Sequence, residues 1–252
     1  MREILISLQN AMVNKSSFLI KQFLILGFSA IGLLLVFELT SVDVWLNNFF
    51  YNPELKEFGL RNDPFLTQVM HHGMKNAMYV LGFGSIVLAL FKVKSKSSLL
   101  TARHVWVGSL GVITIPALVA LLKHLTNKHC PWSLDIYGGG VPYAGLFETH
   151  LSQFGAGQCF PAGHAAGGFM WFAWALTLWF IYPKLAKAIL YLAIVLGLIL
   201  GVSRMMQGAH FFSHVLWTAW FSWAISLIWA LMFKLIPNDL LTLKNNSNGT
   251  TH

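Results

Sequence analysis

The chain has 252 residues, of which 56% are hydrophobic and only 10% charged, with a net charge of +8. A soluble domain carries about 25% charged residues, so too little polar surface is present to cover a water-soluble globule of this size. No lysine or arginine run exceeds a few residues, which argues against a nucleic-acid partner and assigns the basic excess to membrane topology.

Charge-free apolar stretches predict an all-α bundle of six membrane-spanning helices, at 22–37, 77–91, 105–122, 165–183, 188–203 and 215–233. The shorter stretches reach spanning length by borrowing flanking residues, which flanking lysines permit by snorkelling. The first starts late and has no small-residue cleavage site after it, so it reads as a retained span. Ten Trp and twenty Phe suit lipid-facing and interfacial surfaces. The chain reads as one domain over 1–252, with a polar disordered tail from about 240. The glycosylation pattern at Asn245 and Asn248 is discounted because the topology puts it in the cytoplasm.

Six spans put both termini on one side. That side carries Arg2, Lys15, Lys21, Lys92, Lys94, Lys96, Arg103, Lys184, Lys187, Lys234 and Lys244; the other carries Lys56, Arg61, Lys75, Lys123, Lys128 and Arg204. The positive-inside rule makes the richer side cytoplasmic. The outer side then holds loops near 39–75, 123–163 and 204–214. The first mixes aromatic and charged residues and is expected to form interfacial helices. Residues 132–158, with Gly138-Gly139-Gly140, read as an irregular loop.

Three outer segments carry polar residues where lipid should forbid them: Lys123 to Pro131, Cys159 to His164, and Ser203 to His214. The topology brings all three to one face. Ionisable residues at such a boundary are functional candidates. His71, His72, His104, His124 and His150 stand outside these segments and read as interfacial hydrogen-bonding residues.

Together the segments resemble the three motifs of the type 2 phosphatidic acid phosphatase superfamily of membrane lipid phosphatases. That pattern is Lys, six residues, Arg-Pro; then Pro-Ser-Gly-His; then Ser-Arg, five residues, His, three residues, Asp. Here stand Lys123 and Pro131, then Pro161-Ala162-Gly163-His164, then Ser203-Arg204, His210 and His214. Cys130, Ala162 and His214 occupy the positions of the family's Arg, Ser and Asp.

The resemblance implies metal-independent dephosphorylation of a membrane lipid phosphate through a phosphohistidine. His210 would be the nucleophile, and His164 the acid that protonates the leaving oxygen and then activates water. Lys123, Arg204 and Ser203, with the backbone of Ala162 and Gly163 at a helix start, would hold the phosphate. His214, one turn after His210, would orient it in place of the acid, with Asp135 or Glu148 as alternatives. Lys128 or His129 would supply the cation that Cys130 lacks, and Trp132 would line the site or anchor its loop. Because both cysteines face an oxidising compartment beside motif prolines, a Cys130–Cys159 disulfide is expected. It would close about 30 residues and constrain the unfolded chain by roughly 3–4 kcal/mol.

The site would face the periplasm from a bacterial inner membrane, with no cofactor. Its partners would be a lipid phosphate substrate and membrane lipids. Three other functions remain open at this stage. One is phosphoryl transfer to another lipid. Another is non-catalytic binding or transport of a lipid phosphate. The third is a metal or haem site on His210, His214 and His164, disfavoured because Lys123 and Arg204 would repel a dication. Neither the lipid nor the oligomeric state is legible.

Overall fold

The computed structural model describes residues 2–92, 100–145 and 153–236. Glu148, His150, the tail and its two asparagines lie outside them. Eight α-helices follow in order: α1 Arg2–Leu39, α2 Val42–Asn48, α3 Met74–Lys92, α4 Ala102–Thr126, α5 Gly163–Phe169, α6 Phe172–Leu178, α7 Pro183–Met206 and α8 Phe212–Met232. Among the described residues, five stretches are helical, long and apolar enough to cross a membrane: Phe18–Leu39, Phe65–Phe91, Ala102–Ser133, Pro183–Met206 and Phe212–Met232.

The fourth predicted span folds differently. It divides into α5 and α6, separated at Met170 and Trp171, where hydrogen bonds tighten to three-residue spacing, as in Trp171 N to Gly168 O at 3.4 Å. Close packing accompanies the break. A Cβ on Gly168 would lie 2.1 Å from the backbone nitrogen of Gly197 on α7, and one on Gly111 of α4 would lie 2.1 Å from the Cβ of Ala173. Small residues let helix backbones approach this closely. Ala165, Ala166, Phe169, Met170, Phe172 and Leu176 are all at most 5% exposed, so α5 and α6 form the axis of the bundle.

Around that axis, Val105, Val112, Ile115 and Val119 of α4 pack on Ala166, Met170 and Trp174. Ala193 and Met205 of α7 and Val215 of α8 close on Ala165 and Phe169. The outward faces stay apolar: Phe23 and Phe28 on α1, Val80 and Phe83 on α3, and Leu192 on α7 are exposed. That surface suits acyl chains and is unsuited to water. Within the bundle, indole N–H groups find acceptors across helices, including Trp223 to Gln22 and Trp229 to Thr114.

Helix ends follow local chemistry. Thr101 and His104 make a capping box at the start of α4, which gives His104 a structural task. Asn127, with φ of 49°, ends that helix, and Pro183 opens α7 at its first turn. The first loop, where helices are expected, carries helical segments at both ends and a short hairpin between them. Beyond the short α2 it holds a two-stranded antiparallel hairpin, Tyr51–Asn52 with Glu57–Phe58, so the chain is not strictly all-α. A π-helical stretch, Phe65–Gly73, then runs straight into α3. In the second loop, 3-10 turns at Pro131–Ser133 and Asp135–Tyr137 precede a left-handed Gly138 with φ of 80°.

Candidate active site

The end of α4, the start of α5 and the α7–α8 linker converge, stitched by the loops around them. Cys159 N–H donates to the Lys128 carbonyl at 2.9 Å, and Thr126 Oγ1 donates to the Phe160 carbonyl at 2.7 Å. Trp132 N–H reaches the Gly208 carbonyl at 2.9 Å. Cys130 and Cys159 are joined in a disulfide, their Cα atoms 5.1 Å apart.

His210 is 3% exposed, and its Nδ1 lies 2.7 Å from the Cys159 carbonyl oxygen. A carbonyl only accepts, so Nδ1 carries the proton and the Nε2 lone pair is left for chemistry. Burial, with Lys123 close by, holds this imidazole well below the ordinary histidine range, so it is neutral. The segment bearing it is gripped by α2: Asn47 Nδ2 donates to the His210 carbonyl at 3.3 Å, and Ser213 N–H donates to Asp43 Oδ1 at 2.9 Å.

His214 is not seen to bond the His210 ring; its own ring hydrogen-bonds the Cys159 backbone. Its ring centroid is 5.8 Å from that of His210, at 70°, and it packs edge-on to Phe160 and Phe211. Its Nδ1 is buried with no partner among the described residues. The group that holds the His210 ring is therefore a backbone carbonyl. Asp135 turns its carboxylate to the neighbouring Ile136 N–H and takes no part in the site.

The cations gather at the mouth. Lys123 lies against Gly163, where an added Cβ would be 3.2 Å from its Nζ. Arg204 donates through Nη1 to Gln207, and its Nε is buried with no partner among the described residues. Its Cζ is 5.8 Å from the Trp132 ring centroid, and the same ring takes Arg61 at 5.0 Å. Gln207 Nε2 also reaches the Arg61 carbonyl and Thr67 Oγ1, each at 3.3 Å, tying Arg204 to the first loop. Thus a residue of that loop, Arg61, brings a third cation to this cluster. Lys128 donates instead to the Gly145 carbonyl, and with His129 it lines a cavity of about 40 Å³ beside Asp43 and His214.

The remaining candidates are placed as follows. Ala162 N–H is occupied, donating to Thr218 Oγ1 at 2.9 Å. Ser203 donates its hydroxyl to Leu200 O within α7. His164 stacks on His71, centroids 4.2 Å apart, and its Nδ1 is buried with no partner among the described residues. The sequence marks His71 as an interfacial residue only. The signal that could have found it is Lys75 one turn on, two polar residues on one face of an apolar helix. A groove of about 470 Å³ opens from Gly163, His164, His71 and Lys75 and runs along apolar walls including Phe83, Ile86 and Ile113. Among the described residues no cluster of three or more His, Cys, Asp or Glu side chains is arranged to hold a metal ion.

The family model of the PAP2 superfamily matches residues 105–237. No curated protein matches the sequence closely enough to count as a relative. Among solved structures, the chain is similar to a transmembrane PAP2-type phosphatidylglycerolphosphate phosphatase from Bacillus subtilis. The two are 18% identical, with a TM-score of 0.52, over 87% of this chain and 97% of that one. At that identity the likeness speaks for the fold.

Proposed function

The chain belongs to the PAP2 superfamily, and from that premise we propose that it removes phosphate from a membrane lipid through a phosphohistidine at His210. The observation that carries this reading is the 2.7 Å hydrogen bond from His210 Nδ1 to the Cys159 carbonyl, which leaves Nε2 unprotonated in a neutral ring. In the first step Nε2 attacks phosphorus and the bond to the lipid oxygen breaks. His164 gives that oxygen its proton. In the second, His164 takes a proton from water, whose oxygen displaces Nε2 and releases phosphate. Lys123 and Arg204 stabilise the charge on the non-bridging oxygens throughout. Bound phosphate brings negative charge beside His164, which favours the protonated ring that the first step needs. Every one of these roles falls to a side chain, and none requires a metal.

The lipid tail fits the apolar groove that starts at His164 and His71. In this reading α5 and α6 together make the sixth crossing, and the lysine and arginine distribution supports cytoplasmic termini with the site on the periplasmic face. The test is a panel of lipid phosphates assayed with wild type and His210→Ala, together with acid-quench trapping of labelled phosphoenzyme. Wild type should release phosphate and trap label, and His210→Ala should do neither. Undiminished release by His210→Ala would overturn the reading.

A further inference from the structure

His210 is oriented by a backbone carbonyl, and a carbonyl is only as well placed as the chain that carries it. A side-chain acid is fixed by its own rotamer and neighbours. The Cys159 carbonyl depends instead on residues 157–160 staying where they are. Four links tie that stretch to residues 126–130. They are the disulfide, Cys159 N–H to Lys128 O at 2.9 Å, Thr126 Oγ1 to Phe160 O at 2.7 Å, and Gly157 N–H to Asn127 Oδ1 at 2.6 Å. None of the four involves α8 or the linker that carries His210; from that side His214 also hydrogen-bonds the Cys159 backbone, and Ala162 N–H donates to Thr218 Oγ1 at 2.9 Å. The orienting oxygen and the ring it orients therefore sit on separate pieces of chain, and the disulfide is the one covalent link holding the oxygen's piece to α4.

Two departures from the motif pattern thereby meet. Position 130 has lost a cation and gained half of a bridge, and position 214 has lost an acid whose task a carbonyl beside that bridge performs. We propose that the Cys130–Cys159 disulfide is a positioning element of the reaction: it holds the Cys159 carbonyl where it keeps the proton of His210 on Nδ1 and the lone pair on Nε2. This rests on His210 being the nucleophile. With the bridge gone, the carbonyl remains but wanders, and the ring samples the tautomer with its proton on Nε2, which cannot attack phosphorus. Misplacing a reacting group by about an ångström costs on the order of 100-fold. A carbonyl that is loosened without being removed should lower kcat by about 10- to 100-fold, with KM within about twofold because Lys123 and Arg204 are untouched.

The experiment compares wild type, Cys130→Ser/Cys159→Ser, and the same double variant carrying His214→Asp. All are purified in detergent and assayed on a lipid phosphate that the wild type hydrolyses. The bridge-free double variant should lose kcat and keep KM. Adding His214→Asp should return at least several-fold of that kcat, because an acid at this position restores a side-chain orienting group; a bridge that merely stabilised the fold would not be replaced in this way. Nitrogen-15 spectra of histidine-labelled protein provide a second readout that survives if the triple variant misfolds. They should show the Nδ1–H tautomer of His210 in wild type and a mixture in the double variant. Wild-type kcat in the double variant, or an unchanged tautomer, would overturn the proposal. An inactive wild type, or an active His210→Ala, would instead sink the functional reading beneath it.

Discussion

Asp43 is a carboxylate buried for a structural purpose, and its replacement by asparagine should stabilise the protein. It is 4% exposed and accepts the Ser213 N–H at 2.9 Å, acting as a cap for α8 supplied from the first loop. Burial raises its pKa from the ordinary 3.8 to about 6, against the lowering effect of its hydrogen bonds to Ser213 and Phe212. The folded state thus binds the proton more tightly than the unfolded state. Below pH 3.8 both states are protonated and the difference vanishes. Above pH 6 the folded protein holds a buried charge and carries the whole cost, about 3 kcal/mol for that change in pKa. Stability should therefore fall as pH rises from about 4 to about 6. Asp43→Asn keeps an acceptor for Ser213 and removes the charge, so it should melt about 6–12 °C above wild type at pH 7.5 and level with it at pH 4. Asp43→Ala removes the cap and should forfeit about 1 kcal/mol of the gain. Thermal melts in one detergent across pH 4–8 measure all three. A wild-type melting point that is flat across that range, or an Asp43→Asn protein that is less stable at pH 7.5, would refute the reasoning.

Other substitutions probe the cations, the nucleophile and the packing. Arg61→Ala should raise KM about threefold and leave kcat nearly unchanged, because its exposed guanidinium adds a screened attraction at the mouth; initial rates over a range of lipid phosphate concentrations decide this. The single-turnover rate of phosphoenzyme formation should show no acid limb at the ordinary histidine value of 6.5, since the His210 ring stays neutral well below it; a midpoint at 6.5 that belongs to His210 would contradict its burial. Gly168→Ala sets a methyl against the backbone of Gly197 and should cost about 1–3 kcal/mol or more, seen as a lower melting point.

Much of this architecture was legible because long apolar runs and basic flanks are direct consequences of a bilayer. The spans on α1, α3, α4, α7 and α8 fall where the charge-free stretches lie, and the three polar segments meet at one end of the bundle. The break in the fourth span was not legible, because hydropathy registers Gly167 and Gly168 as compatible with lipid and says nothing of the helix pressed against them. Cys159 was marked for its sulfur, yet its carbonyl holds His210; backbone acceptors are common to every residue and leave no trace in residue type. Asp43, Asn47 and Arg61 act across separations of more than 70 residues, from a loop without a motif. For His71 the one signal, Lys75 four residues on, is weak, because the π-helical stretch that carries it does not follow the 3.6-residue period used to sort faces.

The enclosure of α5 and α6 also bears on how the protein is made. A translocon accepts a helix largely on its own apolar side chains, each Leu, Ile, Phe or Val contributing only about 0.3–0.6 kcal/mol at the centre. The stretch from Gly163 to Leu178 is short, carries a histidine at its second position and is rich in Gly and Ala. What makes it comfortable in the finished molecule is the surface of α4 and α7, and α7 is synthesised after it. Nascent chains should therefore hold this segment at the edge of the bilayer until Pro183–Met206 has emerged, so that His164 takes its place in the bundle only after α7 is made.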